Sequence, residues 1–290
     1  MNKSIERVLR SQSQHWVGDG FPVRTLMFYG EHGESISPFL LLDYAGPAQF
    51  PPTEKRLGVG EHPHRGFETV TIVYDGEVEH RDSSGASGTV GAGDVQWMTA
   101  ASGVVHEEFH GRNFAKSGGR FEMVQLWVNL PAKQKMTAPR YQEITREQIP
   151  VLSLANDAGT VRVIAGDFAN TQGAAKTHSP VNVWDVRLHG NGATATLDIP
   201  EGYTAAVAVL EGTVDFGDGT KISPGEVALM GKTGTAIALT AKASAKLLVL
   251  GGQPLGEPIA GHGPFVMNTR AELVQAFQDY QAGKLGALPV

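Results

Sequence analysis

The chain has 290 residues, 41% of them hydrophobic, with 24 Lys and Arg against 30 Asp and Glu, a formal charge of −6 and a pI near 5.9. That length supports one large or two medium cores, and the acidic balance, with no run of Lys and Arg, argues against nucleic-acid backbone binding as a main role. Cysteine is absent, which excludes disulfides, thiolate metal ligands and cysteine nucleophiles and fits a reducing cytoplasm.

The opening residues, Met1 to Arg7, carry no long apolar run, and no window reaches ~18 consecutive apolar residues, so a soluble, unprocessed, cytoplasmic chain without a membrane span is expected. Gly at 36 and Pro at 16 indicate many short strands joined by tight turns. In Gly60-Glu61-His62-Pro63-His64 a His-x-His on a strand throws both imidazoles to one face, roughly 6–7 Å apart, where they can share an ion. Pro63 lacks an N–H, so this strand should run at an edge or a bulge. Phe67 to Tyr74, Asp75-Gly76 and Glu77 to His80 read as a β-hairpin. Gly85 to Gly88 and Gly91 to Asp94 are further turns, Val95 to Met98 is a strand, and Ala100 to Gly103 breaks it. In Val104-Val105-His106-Glu107-Glu108-Phe109 strand parity puts His106 and Glu108 on one face.

Asn129-Leu130-Pro131 ends a strand. Residues 136–155 read as a linker with a helical turn opened by Thr145 and boxed by Gln148, dividing the chain into domains 1–135 and 156–290. An internal repeat supports two copies of one barrel: Gly66-Phe67 through Gly76-Glu77-Val78 line up with Gly202-Tyr203 through Gly212-Thr213-Val214, and Gly93-Asp94-Val95 with Gly225-Glu226-Val227. This alignment sets Asp198 and Pro200 opposite His62 and His64, and Ala238 and Thr240 opposite His106 and Glu108. The second copy therefore keeps the barrel and loses the ligands, and one metal is expected, in the first. Thr269 with Glu272 forms a capping-box spacing, Leu273, Phe277 and Tyr280 make an apolar stripe, and Gly283 stops it, predicting a packing helix at about 270–282 that ends the second domain.

Imidazole and carboxylate donors suit Fe(II), Mn, Co, Ni, Cu(II) or Zn, and four of them leave two octahedral positions for substrate or dioxygen. A closed structural zinc site would ordinarily use cysteines. His62, His64 and His106 are the imidazole candidates. The fourth place falls to Glu108 or to Glu68, which shares parity with His62 and His64. His80 and His110 are candidates for the pocket wall or for hydrogen-bond partners of the ligands; His178, His189 and His262 read as structural. Trp97, Met98, Phe67, Phe109, Phe121, Met123 and Trp127 are available either as core or as an apolar wall above the metal.

The stretch from Gly58 to Glu68, followed by Gly91 to His106, resembles the two motifs of the cupin superfamily. His62-Pro63-His64-Arg65-Gly66-Phe67-Glu68-Thr69-Val70, Gly93 through Ala100 and Gly263 through Thr269 resemble, more narrowly, the pirin family. That resemblance implies an all-β bicupin: two antiparallel jelly-roll barrels facing each other, with a short C-terminal helix. It implies one divalent metal ion per chain, usually iron as Fe(II), in the N-terminal barrel, on His62, His64, His106 and Glu108 rather than Glu68. The family includes quercetin 2,3-dioxygenases and a nuclear cofactor of transcription factors. The first function implied is thus a dioxygenase acting on a small-molecule flavonol-like enol with O2. The ion lowers the pKa of the enol hydroxyl, Glu108 (with Glu68 as the alternative base) takes its proton, and the heterocycle opens with loss of carbon monoxide. The alternative is a metal-bound or redox-sensing regulator that works through a protein partner. A third reading is another cupin reaction, an isomerase or lyase on a polar metabolite, with Arg65, Arg81 and Arg120 as anion contacts.

Overall fold

β-Branched and aromatic runs punctuated by glycine build a chain of short strands, and the computed structural model describes residues 1–11 and 13–289. The first strands are β1 (Ile5–Arg10), β2 (His15–Val17), β3 (Phe21–Phe28), β4 (Phe39–Phe50), β5 (Gly58–His64) and β6 (Phe67–Asp75). There follow β7 (Glu77–Asp82), β8 (Ser87–Gly91), β9 (Val95–Thr99), β10 (Val104–His110), β11 (Gly119–Asn129) and β12 (Arg140–Ile144). The middle of the chain holds β13 (Val151–Ser153), β14 (Gly159–Ala165), the small hairpin β15 (Asp167–Phe168) and β16 (Thr171–Gln172), β17 (Val181–Leu188) and β18 (Ala193–Asp198). Next come β19 (Thr204–Glu211), β20 (Val214–Asp215), β21 (Lys221–Ile222), β22 (Glu226–Met230), β23 (Ala236–Ala241) and β24 (Ala245–Gly252). The chain closes with β25 (Ala260–His262), β26 (Phe265–Met267) and a helix, Arg270–Gln281. Among the described residues no helix is long and apolar enough to cross a membrane.

These elements form two compact units, one of residues 13–25, 39–146 and 256 onward, the other of residues 1–11, 26–38 and 147–255. In the first, a seven-stranded sheet ordered β12-β9-β6-β11-β4-β3-β2 packs on a four-stranded sheet ordered β5-β10-β7-β8. The second repeats this plan as β1-β22-β19-β24-β17-β14-β13 with β18-β23-β20-β21. The two orders match strand for strand, except that the place of β12 is taken by β1, the first strand of the chain. The units are therefore not the continuous stretches 1–135 and 156–290. β1 pairs with β22, Val8 opposite Ala228; the tail and its helix join the unit that contains β5. The expected linker is partly strand, since β12 pairs with β9 from Arg140↔Thr99 to Ile144↔Val95, and a 3₁₀ turn at Arg146–Gln148 follows. The physical reason is shared: β9 and β22 would otherwise leave a row of unpaired N–H and C=O groups at a sheet edge, and β12 and β1 cover them.

The Asp75-Gly76 turn separates two strands, as its residues suggest, but β6 and β7 do not pair: the chain turns a corner there from the seven-stranded to the four-stranded sheet. Gly76 has φ +89, and a Cβ would sit 2.7 Å from Cδ2 of Phe121, so the corner requires glycine. The hairpin in this region is β7–β8, with His80 opposite Gly88.

The interiors of the two units differ. In the first, one end is aromatic, with Phe21, Phe50, Phe114 and Phe121 around His110, and beyond it the inward face carries a cluster of polar side chains that includes His64, His80, His106 and Glu108. In the second the inward face is apolar, mostly aliphatic with Trp184 and Phe216 among it. Leu197 pairs with Ile237 as His62 pairs with His106, and both members point into the core. Leu197 and Ile199 thus stand where the first unit has His62 and His64, and Ile237 and Leu239 where it has His106 and Glu108. This corrects the alignment to Asp198, Pro200, Ala238 and Thr240 by one residue. The turn leading into β19 is one residue longer than the one leading into β6, and the turn before β23 one shorter than the one before β10; a slip of one flips every side chain to the other face.

Candidate metal centre

His62 and His64 lie on β5, an edge strand, where the missing N–H of Pro63 is tolerated. β10 runs beside it with His106 opposite His62 and Val104 opposite His64, and the register shifts between His106 and Glu108. Such a bulge re-aims side chains beside a site. The three rings converge: centroids are 4.2 Å apart for His62–His106, 4.8 Å for His64–His106 and 4.9 Å for His62–His64. One nitrogen from each lies within 4.8 Å of the others. His64 and His106 are buried, while His62 is half-buried and forms the solvent side of the group. Burial, reinforced by the neighbouring imidazoles, holds the pKa of both His64 and His106 well below that of a free histidine, so both rings are neutral, the form that ligates a metal.

Hydrogen bonds fix which nitrogen is free. Nδ1 of His62 donates to the Gly60 carbonyl (2.8 Å) and Nδ1 of His64 to the Pro264 carbonyl (3.4 Å). Carbonyls only accept, so Nδ1 of each ring carries a proton and Nε2 is the nitrogen left for a metal. Nδ1 of His106 lies 3.4 Å from Nδ1 of His80, and its Nε2 is buried with no hydrogen-bond partner among the described residues. An orphaned buried nitrogen costs about 1–3 kcal/mol, and a bound cation removes that cost. The residues therefore fit a metal ion: three converging imidazoles with oriented rings and one otherwise unexplained lone pair.

Glu108 joins the group through His106, since His80, His106 and Glu108 also offer ligand atoms within 4.8 Å of one another. Its carboxylate accepts from Thr71 Oγ1 (3.4 Å) and Gln125 Nε2 (3.2 Å). Glu68 is elsewhere. The corner at Gly66 carries the chain into the other sheet, and Glu68 falls on the face of β6 opposite to Thr71, bonded by Thr99 Oγ1 at 2.7 Å. Parity with His62 and His64 does not survive the corner, and among the described residues Glu68 belongs to neither cluster of potential ligand atoms. Burial, partly offset by the Thr99 hydroxyl, pushes its carboxyl up to about 7. The native state then keeps a proton that the unfolded chain releases near pH 4.5, and stability falls as pH rises from 4.5 towards 7. Glu68→Gln is expected to remove this slope and to exceed the wild type by about 2–3 kcal/mol at pH 8. Urea unfolding at pH 5 and pH 8 checks it; an equal difference at both pH values would refute it.

Of the other predicted residues, His110 belongs to the aromatic end and bonds the Gly20 carbonyl through Nε2 (2.8 Å). Phe67 and Trp127 do flank the centre, at 5.1 and 5.3 Å from the His64 ring. Phe121 and Met123 are core, Trp97 lies on the face of β9 opposite to Gln96, and Phe109 is covered by Arg56. Arg65, Arg81 and Arg120 are each paired with carboxylates: Asp279 (2.9 Å), Glu107 (2.6 Å), and Asp75 with Glu122 (both 2.8 Å). Residues not anticipated are Asp82 and Gln96, both bonded to His80, and Thr71 and Gln125 on Glu108. The signal was available as polar residues at inward positions where the second unit has Ala228, Val207 and Val249.

The Pirin family profile matches residues 20–128, and that of the Pirin C-terminal cupin domain matches residues 183–286. A Pseudomonas aeruginosa protein provisionally named quercetin 2,3-dioxygenase is 55% identical over 282 residues, covering 97% of this chain and 98% of its own. A crystal structure of quercetin 2,3-dioxygenase from Acinetobacter baumannii superposes with a TM-score of 0.96 at 53% identity, covering 99% of both chains. A bacterial pirin from Escherichia coli, solved in complex with nickel(II), shares the fold at a TM-score of 0.65 and 20% identity, over 86% of this chain and 99% of that one. With two cupin domains, one bearing a cluster of imidazoles and the other aliphatic at the same positions, the chain belongs to the pirin family.

Proposed function

We propose that this pirin is a metal-dependent dioxygenase that opens the heterocycle of quercetin-like flavonols, or of related enols, with O2. The observation that carries the reading is the convergence of three imidazoles, one with an orphaned Nε2, next to the Glu108 carboxylate. The names of relatives at 55% and 53% identity support it. His62, His64, His106 and Glu108 would hold one divalent ion, Fe(II) before Mn, Co, Ni, Cu or Zn, and a cytoplasmic location fits the absence of cysteine. When bound, the ion supplies Lewis-acid polarisation of the enol oxygen and redox chemistry with O2.

The protein contributes the rest. Glu108, whose carboxylate accepts from the Thr71 hydroxyl and the Gln125 amide, takes the enol proton on a carboxylate oxygen. The Thr69 hydroxyl and the Trp127 indole N–H, cross-strand neighbours on the inward face, are buried without partners among the described residues and are available to substrate oxygens. The Phe67–Trp127 pair, with centroids 4.4 Å apart, keeps water from the His64 side.

Metal-loaded protein is expected to bleach quercetin in air with one carbon monoxide released per O2 consumed. Glu108→Gln, assayed at matched metal content, should lower kcat/KM by roughly 10²–10⁴-fold. Unchanged turnover removes Glu108 as the base. A fully loaded wild type that leaves flavonols untouched overturns the enzymatic reading in favour of a regulator acting on a protein partner.

A further inference from the structure

We propose that Asp82 and His80 form a positioning relay that fixes the tautomer of His106 and so presents its Nε2 to the metal. This rests on His62, His64 and His106 being ligands, but not on the identity of the substrate. The carbonyls that orient His62 and His64 can only accept. His106 has no such partner: its Nδ1 faces another imidazole nitrogen, and an imidazole pair can share a proton in either direction. The direction is decided one residue further away.

Asp82 Oδ1 is taken up by the backbone and hydroxyl of Ser84 (2.8 and 2.6 Å) and the backbone of Ala86 (3.3 Å), which leaves Oδ2 for Nε2 of His80 at 3.0 Å. A carboxylate accepts, so Nε2 of His80 carries a proton, and an amide nitrogen only donates, so the Nδ1 that faces Gln96 Nε2 is a lone pair. Gln96 Nε2 donates to this Nδ1 at 3.2 Å, and its Oε1 accepts from the Tyr141 hydroxyl at 3.4 Å. His106 must then donate from Nδ1, which strips Nε2, the atom left without a protein partner. The His80 ring cannot readily turn to reverse the order. Its side chain and that of Asp82 are 0% and 1% exposed, and Tyr141 stacks on it at 5.1 Å with planes 17° apart. The second unit supplies an independent comparison. By strand pairing Phe216 occupies the place of His80 and Ile237 that of His106, so relay and ligand are lost together.

The relay makes His80 a positioning residue, distinct from a fourth imidazole ligand. Imidazole ¹⁵N spectra of metal-free wild type should show His106 protonated at Nδ1 and bare at Nε2. Zn²⁺ competition against a chromophoric chelator should show His80→Phe, which keeps the ring and removes the acceptor, binding 10–100-fold more weakly. His80→Gln, whose amide oxygen can accept, should recover most of that loss. A His106 proton on Nε2 in the metal-free wild type would overturn the proposal, and so would a Zn²⁺ affinity of folded His80→Phe within twofold of wild type. The spectrum needs no variant, so a misfolded His80→Phe leaves the test intact. Neither readout involves turnover, so a failure on flavonols leaves this result standing.

Discussion

Protein carrying His62→Ala and purified without added metal is expected to contain no stoichiometric ion, against about one per chain in the wild type. His62 is the half-buried member of the triad and its ring packs mainly on the other two imidazoles, so its removal should leave the metal-free fold within about 1 kcal/mol of wild type. The effect on affinity should exceed the roughly 10–100-fold that follows from losing a ligand's hydrogen-bond partner, because a donor atom itself is gone. Elemental analysis together with thermal unfolding of the metal-free forms separates the two effects. Full metal content in His62→Ala would mean that the ion is held by His80, His106 and Glu108, the alternative triad around the shared His106.

The second large effect is expected at Gly66, the corner between β5 and β6. Its φ is +91, and a Cβ there would overlap the carbonyl oxygen of Val266 and approach Met267 Sδ to 2.9 Å. The obstacle is backbone on β26, which cannot rotate away, so Gly66→Ala combines strain of about 1–3 kcal/mol with displacement of the tail. A fall in Tm of roughly 5–10 °C is expected from about 2–3 kcal/mol in a domain of this size. The tail also carries the Pro264 carbonyl that orients His64, so metal affinity should fall in the variant that remains folded. Gly60→Ala is the control: no atom lies within 4 Å of the added methyl, and Tm should be unchanged. Equal Tm values for the two variants would refute the account.

What could be read from the sequence was whatever depends on alternation within one strand. His62 with His64 and His106 with Glu108 are two residues apart on single strands, and the structure brings the three imidazoles together. Readings that crossed a corner fared differently. Glu68 kept its parity on paper but changed sheets at Gly66. The Asp75-Gly76 turn chemistry was right and the inferred pairing was not, because one turn serves hairpins and sheet-to-sheet corners alike. The repeat was real, and turns differing by one residue moved its register across the strand, hiding Leu197, Ile199, Ile237 and Leu239 behind their polar neighbours. The helix at Arg270–Gln281 was legible from its cap, since Thr269 and Glu272 bond reciprocally. Its partner was not, because the buried Arg65–Asp279 pair joins positions far apart in sequence.

The exchange of β1 for β12 has a bearing on biosynthesis. β1 leaves the ribosome well ahead of its partner β22, which is made only after more than two hundred further residues. Until then β1 is an unpaired strand, and the loop it must close is long, a condition that slows folding more than it weakens the final state. The C-terminal tail shows the converse: the carbonyl that aligns His64 is synthesised about two hundred residues after the histidine itself. A nascent chain can therefore complete the sheets around the imidazoles before it can orient them, and the His64 ring is aligned only once the segment with Pro264 has been made.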